Sequence, residues 1–454
     1  MPHWLSKREL KNLELTSDEQ EFVDQQQLLV ETRAPLMGRL MSEMKFKQTL
    51  TERLGVEKAF TACRQSLGVP QLDQLRKRRV LPVLQVAREQ PEFTELWPGG
   101  EEFTHTPPTV VGRGDHETLR GISRSAFLSC LKDITVRGRS AVLLGEDWAA
   151  FDFEPHELAA FQDNPEFDPA VLKSDTAHFW TMEPANAPVL EEGFYLTGTY
   201  AHDFGHWIAE LLPRLAAAKL AGLPSVPLLI DSRMPATHRQ SLELFCPEHE
   251  LIVLEHLSAV QVRRLWYSPN LAYRGFSPSN WSEAWESMLS CPAYFARAIR
   301  FLKSLAEEPL APPTGKPRLF LARKPGQKKL LVNHRAIEQV AKEYDFEIVY
   351  PQDLTFLEQL RLVHHAKHIV APDGSNGLLA YFAGRHTRVA LLNHEHTRPL
   401  VALNGLFTEL AGDLTLVTGP VDGPRQEEPF WNNYRIDEQG FKHFLRDWLK
   451  ESRA

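Results

Sequence analysis

The fold is decided by residues 355–384, TFLEQLRLVHHAKHIVAPDGSNGLLAYFAG. This stretch opens with the capping-box pattern Thr355-x-x-Glu358, which predicts the start of a helix that runs to about Ala366. The apolar run 368–371 then predicts a buried strand, and a Gly-Ser-Asn-Gly turn leads into a short helix that ends at Gly384. Helix, strand and helix in such quick succession are typical of βαβ units and therefore of a parallel sheet.

The same alternation continues on both sides of this stretch. The predicted strands are Phe194–Thr197, Val226–Ile230, Leu251–Leu254, Leu319–Ala322, Phe346–Tyr350 and Arg388–Leu392. The predicted helices are His206–Ala221, Ala236–Phe245, 282–305, Arg335–Tyr344 and Glu438–Glu451. Pro213 is expected to kink the first of these helices, because proline lacks an N–H group and crowds the carbonyl of the preceding turn.

The Pro-rich segment Glu307–Lys316 (EEPLAPPTGK) predicts a linker between two units. The fold class is therefore α/β, with two Rossmann-like halves at 105–306 and 307–454. Residues 1–104 are rich in Glu, Gln, Leu, Lys and Arg and predict a helical N-terminal segment. Ligands of open parallel sheets bind beyond the carboxyl ends of the strands, so we expect the site between the halves.

Bulk properties narrow the class of function. The 454 residues carry 51 Lys and Arg against 59 Asp and Glu, and this net charge of −8 argues against general nucleic-acid binding. No stretch has the roughly 18 uninterrupted apolar residues of a membrane span, and the N-terminal MPHWLSKR is not typical of a signal peptide. Four widely spaced cysteines match no zinc motif and predict reduced thiols. We therefore expect a cytoplasmic protein, with peripheral docking on the inner membrane face left open.

A first candidate site lies at the start of the predicted helix after Tyr200. Asp203, His206 and Glu210 fall on one stripe of a helix, and a His–Glu pair at i, i+4 can act as a general base with its orienting carboxylate. A structural His–Glu pair is the alternative interpretation. A metal site built from His202, His206 and Glu210 is a weaker one.

A second candidate is the turn after the strand 368–371. The free N–H groups of such a turn and the dipole of the following helix favour an anion. Gly374 lets a ligand approach the backbone, and Ser375 and Asn376 can add hydrogen bonds. A small polar turn without a binding role is the alternative.

A third candidate follows the strand 319–322. Arg323 and Lys324 stand at the strand's end, and Lys329 and Asn333 follow closely. Positive charge in the expected cleft suits a diphosphate leaving group. The alternative is a solvated basic loop.

Together these segments resemble glycosyltransferase family 61, which includes many bacterial capsular-polysaccharide proteins. The blocks that carry the resemblance are His206-Trp-Ile-Ala-Glu210-Leu-Leu-Pro213-Arg214-Leu215, the segment 318–333, Leu354-Thr-Phe-Leu-Glu358-Gln359, Ala371-Pro-Asp-Gly-Ser375-Asn-Gly-Leu378 and Tyr434-Arg-Ile-Asp437. They occur in the family's order between about 105 and 450. Two positions depart from the pattern: the family's His in the fourth block is Asp373, and its Asn-Glu-x-Glu is Asn333-His334-Arg335-Ala336.

The resemblance implies a GT-B arrangement, with the acceptor half first and the nucleotide-sugar half second. It implies inverting transfer from a UDP-sugar to a hydroxyl of a glycan or protein, without a metal or other cofactor. It also adds Asn333, Glu358 and Asp373 to the donor-binding residues Arg323, Lys324, Lys329, Gly374, Ser375 and Asn376. The departures motivate one alternative, a catalytically degenerate module that binds a nucleotide, glycan or protein. A phosphotransferase or metal-dependent hydrolase is less favoured, and no P-loop or Gly-x-Gly-x-x-Gly motif follows a strand.

Overall fold

The computed structural model describes residues 15–32, 36–66, 72–112, 118–153, 163–255, 258–271, 277–278, 291–310, 315–324, 329–395, 401–412, 414–425 and 432–450. Its helices are α1 (Ser17–Thr32), α2 (Leu36–Leu54), α3 (Val56–Ser66), α4 (Val83–Arg88), α5 (Phe204–His206), α6 (Leu212–Leu220), α7 (Ala236–Phe245), α8 (Pro292–Leu305), α9 (Glu307–Leu310), α10 (His334–Glu343), α11 (Phe356–His364), α12 (Val401–Leu410) and α13 (Glu438–Trp448). Its strands are β1 (Gln74–Pro82), β2 (Thr94–Trp97), β3 (Glu102–His105), β4 (Thr109–Val111), β5 (Leu119–Ile122), β6 (Ala126–Arg137), β7 (Leu143–Leu144), β8 (Trp148–Phe151), β9 (Asp163–Asn164), β10 (Val171–Ser174), β11 (His178–Glu183), β12 (Val189–Tyr195), β13 (Leu228–Asp231), β14 (Leu251–Leu254), β15 (Ala259–Tyr267), β16 (Ser277–Pro278), β17 (Arg318–Leu321), β18 (Glu347–Val349), β19 (His368–Pro372), β20 (Arg388–His394) and β21 (Leu414–Gly419).

The first part of the chain forms a large mixed sheet. Within the described residues it has eleven strands in the order β10-β11-β1-β8-β7-β6-β15-β12-β13-β14, with β2 added to β6. Strands β15, β12, β13 and β14 are parallel, whereas β6 pairs antiparallel with β15, β7 and β2. The expected α/β class is confirmed, but a parallel sheet throughout 105–306 is wrong, because antiparallel pairing through β6 builds much of this sheet.

The second part forms a six-stranded parallel sheet in the described residues, in the order β18-β17-β19-β20-β21-β4. Helices α10 and α11 connect its strands, and every residue of β19 is buried, as is typical of a parallel sheet covered on both faces. The predicted strands over 319–392 are confirmed to within a residue or two. The strand β4 comes from residues 109–111 of the predicted first half and pairs with β21 of the second, so the predicted division at 306/307 does not separate the two sheets.

One apolar core joins the helices that lie between the two sheets. Phe245 at the end of α7 packs edge-on against Phe356 of α11, with ring centroids 5.9 Å apart. Trp207 and Phe295 from the first part are fully buried in the same cluster as Phe356 and Leu391 from the second. The two sheets are therefore held together by a continuous hydrophobic layer and not only by a linker.

The prediction of a helical segment over 1–104 is wrong for most of 72–104, where β1, β2 and β3 form and only Val83–Arg88 is helical. The basic segment QLRKRRVLP forms β1, which pairs antiparallel with β11 and parallel with β8. Arg78 is buried there, and its guanidinium donates to Gly145 O at 2.9 Å and to Thr181 Oγ1 at 2.6 Å. Its carboxylate partner is Glu183. This charged segment forms a strand because it pairs with partners that are distant in the sequence. Composition alone cannot predict such partners.

The predicted linker is partly structured. Glu307–Leu310 forms α9, and Leu310 is almost completely buried. Arg361 Nε donates to Pro309 O at 2.7 Å, so α11 holds this segment in place. Residues 311–314 of the predicted linker lie outside the described residues.

Candidate active site

The first candidate segment begins at a capped helix terminus. The Asp203 carboxylate accepts hydrogen bonds from the backbone N–H groups of Gly205 (2.7 Å) and His206 (3.2 Å), which is the geometry of an N-cap. Burial alone would raise the pKa of Asp203. The nearby His206 ring and the two N–H groups outweigh it, and the pKa is lowered. Asp203 is thus an ionised N-cap of the helix that carries the predicted catalytic residue His206.

The predicted kink at Pro213 takes the form of a π-helical turn. Residues Trp207–Leu211 form this turn between α5 and α6, and Leu212 N–H donates to Trp207 O across it. Proline at position 213 cannot donate to Ala209 O, and the wider turn accommodates that missing hydrogen bond. Glu210 lies inside the turn, which is a common location for functional side chains.

The structure brings His206 and Glu210 together. His206 Nδ1 lies 2.6 Å from Glu210 Oε1, and the carboxylate is almost completely buried whereas the imidazole is about one-fifth exposed. Tyr200 stacks on the imidazole, with centroids 4.4 Å apart and planes 13° apart. With Glu210 ionised, Nδ1 carries the proton and Nε2, on the other side of the ring, becomes the basic nitrogen. This is the arrangement of a base held by an orienting carboxylate.

The second candidate, the turn after β19, faces the first. Gly374 has φ +151°, a conformation that favours glycine, and an added Cβ there would lie 3.2 Å from Arg323 Nη1. An added Cβ on Gly205 would lie 2.9 Å from Ser375 Oγ. The Arg323 guanidinium, the turn and the start of the His206 helix are therefore immediate neighbours.

Ser375–Phe382 forms a 3₁₀ helix at this turn. Asn376 Nδ2 donates to Ala322 O at 3.0 Å, which fixes the start of the helix against the end of β17. The first N–H groups of any helix lack partners within it, so the backbone N–H groups of Ser375 and Asn376 have no acceptor inside this helix.

A buried ion pair supports this turn from below. Lys329 Nζ pairs with the carboxylate of Asp373, and both side chains are more than nine-tenths buried. Asn393 Nδ2 donates to Asp373 Oδ2 at 2.5 Å. Burial lowers the pKa of Lys329, although Asp373 opposes this shift. The negative charge of Asp373 is thus matched by Lys329 in the core and is not exposed in the cleft.

Three other predicted donor-binding residues have local structural partners. The exposed Lys324 pairs with Asp353. Asn333 Nδ2 donates to Ile436 O at 2.8 Å and so ties α10 to the C-terminal segment. Glu358 closes the predicted capping box of α11, which is confirmed, by accepting Thr355 N–H at 2.8 Å. These contacts give each of the three a structural role, and donor binding by them stays a prediction.

Sequence reasoning missed Tyr200, Arg139 and Asp231 beside this site. Asp231 had a readable signal, because it ends an apolar strand and so stands at a carboxyl end of the sheet. Arg139 and Tyr200 had no such signal in the sequence. Both lie in loops, and the role of a loop arginine or tyrosine depends on the residues that it contacts in the folded protein.

The described residues contain neither a metal-ligand cluster nor a membrane-spanning helix. Among the described residues, no three His, Cys, Asp or Glu side chains converge on a common metal position, and the set His202, His206 and Glu210 is no exception. No helix in the described ranges is both long and apolar enough to cross a bilayer.

Acid should destabilise the protein through two histidines of this region. Burial lowers the pKa of His202 to about 4, with a contribution from Arg139, and burial likewise lowers the pKa of His238 to about 4. Between about pH 6.5 and pH 4 the unfolded chain binds these protons and the folded protein does not. The free energy of unfolding should therefore fall as pH decreases through this window, as measured by urea denaturation at pH 7, 5.5 and 4.5. His202→Gln should show a shallower fall, and an unchanged slope would contradict this assignment.

Comparison with known proteins identifies the class. Residues 204–390 match the family model described as Glycosyltransferase 61. This match includes His206, Glu210, Arg323 and the Ser375 turn, and it is narrower than the resemblance seen in the motifs. A search of curated proteins found no match.

Two solved structures show a distant likeness. They are the bacterial iron-containing dodecameric glycosyltransferase TibC from enterotoxigenic E. coli, and the dodecameric iron-containing heptosyltransferase TibC in complex with ADP-D-beta-D-heptose. Each is 10% identical and covers 77% of this chain and 100% of the other, with TM-scores of 0.31 and 0.30. At these TM-scores, no residue of the site can be matched between the structures.

The chain is therefore an enzyme of sugar transfer, a glycosyltransferase. The segment that matches glycosyltransferase family 61, residues 204–390, contains both halves of the site described above.

Proposed function

We propose that this enzyme transfers a sugar from a UDP-sugar to a hydroxyl group of an acceptor, with inversion at the anomeric carbon. Its two sheets then serve as the halves of a GT-B-like arrangement, with the acceptor bound on the first half (105–306) and the donor on the second (307–454). The proposal rests on one observation, the contact between Gly205 and Ser375. That contact sets a candidate base directly beside a turn suited to phosphate.

The proton of the acceptor hydroxyl passes to His206 Nε2 as the hydroxyl oxygen attacks the anomeric carbon. Glu210, 2.6 Å from Nδ1, stabilises the imidazolium that forms. Attack on the face opposite the nucleotide breaks the bond between sugar and diphosphate in one displacement, which inverts the configuration. Asp203 positions His206 by capping its helix.

The departing diphosphate gains negative charge. Arg323 and the N–H groups of Ser375 and Asn376 stabilise this charge by donating hydrogen bonds to the phosphate oxygens. Preorganised donors of this kind can replace a metal ion at a leaving group, so we propose catalysis without a metal or other cofactor. Lys329 neutralises Asp373, so the residue that replaces the family's histidine does not repel the phosphates. This pairing favours an active enzyme over a degenerate binding module.

The compartment is indicated by the cysteines. The four cysteines are buried and unbridged, which is typical of proteins in a reducing compartment. We therefore propose a cytoplasmic enzyme.

Arg323→Ala should weaken donor binding about tenfold to hundredfold, since it removes a charge-assisted contact to the diphosphate. Purified protein is screened by thermal shift and calorimetry against UDP, GDP, CMP, dTDP and their sugars, with and without EDTA. A ligand at a hundredfold excess over its Kd stabilises the folded state by about 2.7 kcal/mol. We expect UDP and one UDP-sugar to raise the Tm whether or not EDTA is present.

Arg318→Ala is the matched control, because Arg318 begins the same strand at its amino end and donates to Tyr344 O there. It should leave the Kd of UDP within about twofold. Equal losses in both variants would show a general charge effect and not a site. No response to any nucleotide, or binding that EDTA abolishes, would overturn the proposed donor or its metal independence, respectively.

A further inference from the structure

Two buried charged side chains near His206 each have polar atoms without a hydrogen-bond partner among the described residues. Arg139 is 4% exposed, and its Nε and Nη2 atoms donate to no acceptor among the described residues. Asp231 is 2% exposed; its Oδ1 accepts Arg233 N–H at 2.8 Å, whereas its Oδ2 has no donor there. Arg78, another buried arginine, donates to three neighbours. Within the described ranges Arg214 also has unpaired Nε and Nη2 atoms, but its guanidinium lies over the Tyr267 ring, 4.4 Å from the ring centroid. Unpaired buried charges are costly, so a ligand is expected to satisfy them.

Both side chains lie at the carboxyl ends of β13 and β14. Asp231 ends β13 and pairs in register with Leu254, the last residue of β14. The turn that carries Arg139 is held at the same place, because a Cβ on Gly138 would lie 2.5 Å from Glu255 O, just after β14. The Tyr195 hydroxyl, at the end of β12, also contacts this turn at Arg137 O, 2.9 Å away. This is the end of a parallel sheet where ligands bind.

The same position adjoins the proposed base. Arg139 and His206 both act electrostatically on His202, which stands between the end of β12 and the Asp203 cap. Glu43 and, more weakly, Asp231 act electrostatically on Arg139, and Asp231 forms neither a hydrogen bond nor an ion pair with it. A group bound between Arg139 and Asp231 is therefore close to the site of proton transfer.

The unpaired atoms include hydrogen-bond donors as well as an acceptor, and this combination defines the chemistry of the ligand. Arg139 offers N–H donors and Asp231 offers an acceptor. An anionic group would satisfy Arg139 but would be repelled by Asp231. Neighbouring hydroxyls of a sugar satisfy both, because each hydroxyl donates one hydrogen bond and accepts others.

We propose that Arg139 and Asp231 form the acceptor subsite and that the acceptor is a glycan whose terminal neutral sugar they hold by adjacent hydroxyls. This inference rests on the proposed function, since it assigns the acceptor of the same reaction. It selects a glycan over a protein acceptor.

The test measures UDP release from the UDP-sugar found in the nucleotide screen. Acceptors are neutral methyl glycosides (glucoside, galactoside, mannoside, xyloside), a methyl glucuronide, and a Ser/Thr-containing peptide. We expect at least one neutral glycoside to accelerate UDP release above the rate of hydrolysis by water. Asp231→Asn and Arg139→Met should raise the KM for that glycoside about tenfold to hundredfold.

Stability separates this role from a structural one. Asp231→Asn removes an unpaired buried charge, so its Tm should equal or exceed that of the parent protein. Asp168→Asn is the matched control, because Asp168 is fully buried and accepts bonds from Ser140, Ala141 and Ala170. It should lower the Tm and leave the KM for the glycoside unchanged.

Donor hydrolysis with acceleration only by the glucuronide or the peptide would overturn the inference and spare the proposed function. The same holds if no glycoside accelerates UDP release, or if Asp231→Asn and Arg139→Met keep the parent KM. If the parent protein neither binds UDP nor hydrolyses the donor, the proposed function is overturned, and the proposed glycan acceptor with it.

Discussion

Replacement of His206 with alanine is expected to lower kcat for sugar transfer by about a hundred- to ten-thousandfold, because general-base catalysis contributes on this scale. The Kd of the donor should change little, since in the proposed mechanism the diphosphate binds to Arg323 and the Ser375 turn. Glu210→Gln should lower kcat less, because an amide can still hold the ring at Nδ1 but cannot stabilise an imidazolium. Both effects are measured by steady-state kinetics with saturating donor, beside the Kd of UDP from calorimetry.

The control is a second histidine–carboxylate pair on β11. His178 Nδ1 lies 3.3 Å from Asp175 Oδ1, and both side chains are about one-third or more exposed. His178→Ala should leave kcat unchanged within about twofold. Full activity of His206→Ala would remove His206 as the base and make Asp203 the next residue to replace.

Breaking the Lys329–Asp373 pair should cause the largest loss of stability, about 3–5 kcal/mol for Lys329→Met or for Asp373→Asn. Each variant leaves one charge in the core without its partner. Lys329 also has a left-handed backbone (φ 55°), and its carbonyl accepts Arg323 Nη1 at 3.4 Å. A released turn should therefore also weaken UDP binding. Urea denaturation and calorimetry measure the two effects.

The double variant Lys329→Met/Asp373→Asn removes both charges and should lose less than the two single variants combined. The exposed pair of Lys324 and Asp353 is the control, with side chains 55% and 57% exposed. Asp353→Asn should cost less than about 1 kcal/mol. Additive losses in the double variant would show that the buried residues act separately. Asp373→His, which installs the family's residue, should be as destabilising as Asp373→Asn because it leaves Lys329 without a carboxylate.

Much of the second half could be predicted from local patterns. Its strands are short, apolar runs with clear turn residues after them, and Thr355 and Glu358 form the predicted capping box. The His206–Glu210 pair was also predictable, because i, i+4 spacing brings two side chains together whichever tertiary structure follows. The kink at Pro213 was foreseen, but its π-helical form depends on how the helix packs.

The sequence by itself determined the α/β class, the parallel strands from Leu319 to Leu392, the resemblance to glycosyltransferase family 61 and the nearness of His206 to Glu210. Each of these depends on residues close in sequence, where spacing and side-chain type set the geometry. Only the tertiary structure decided that Gly205 touches Ser375, that Lys329 neutralises Asp373, and that Arg139 and Asp231 are buried with polar atoms of each left unpaired among the described residues. These pairs are separated by tens of residues or more along the chain. Their contacts follow from the packing of the two sheets, which no local pattern encodes.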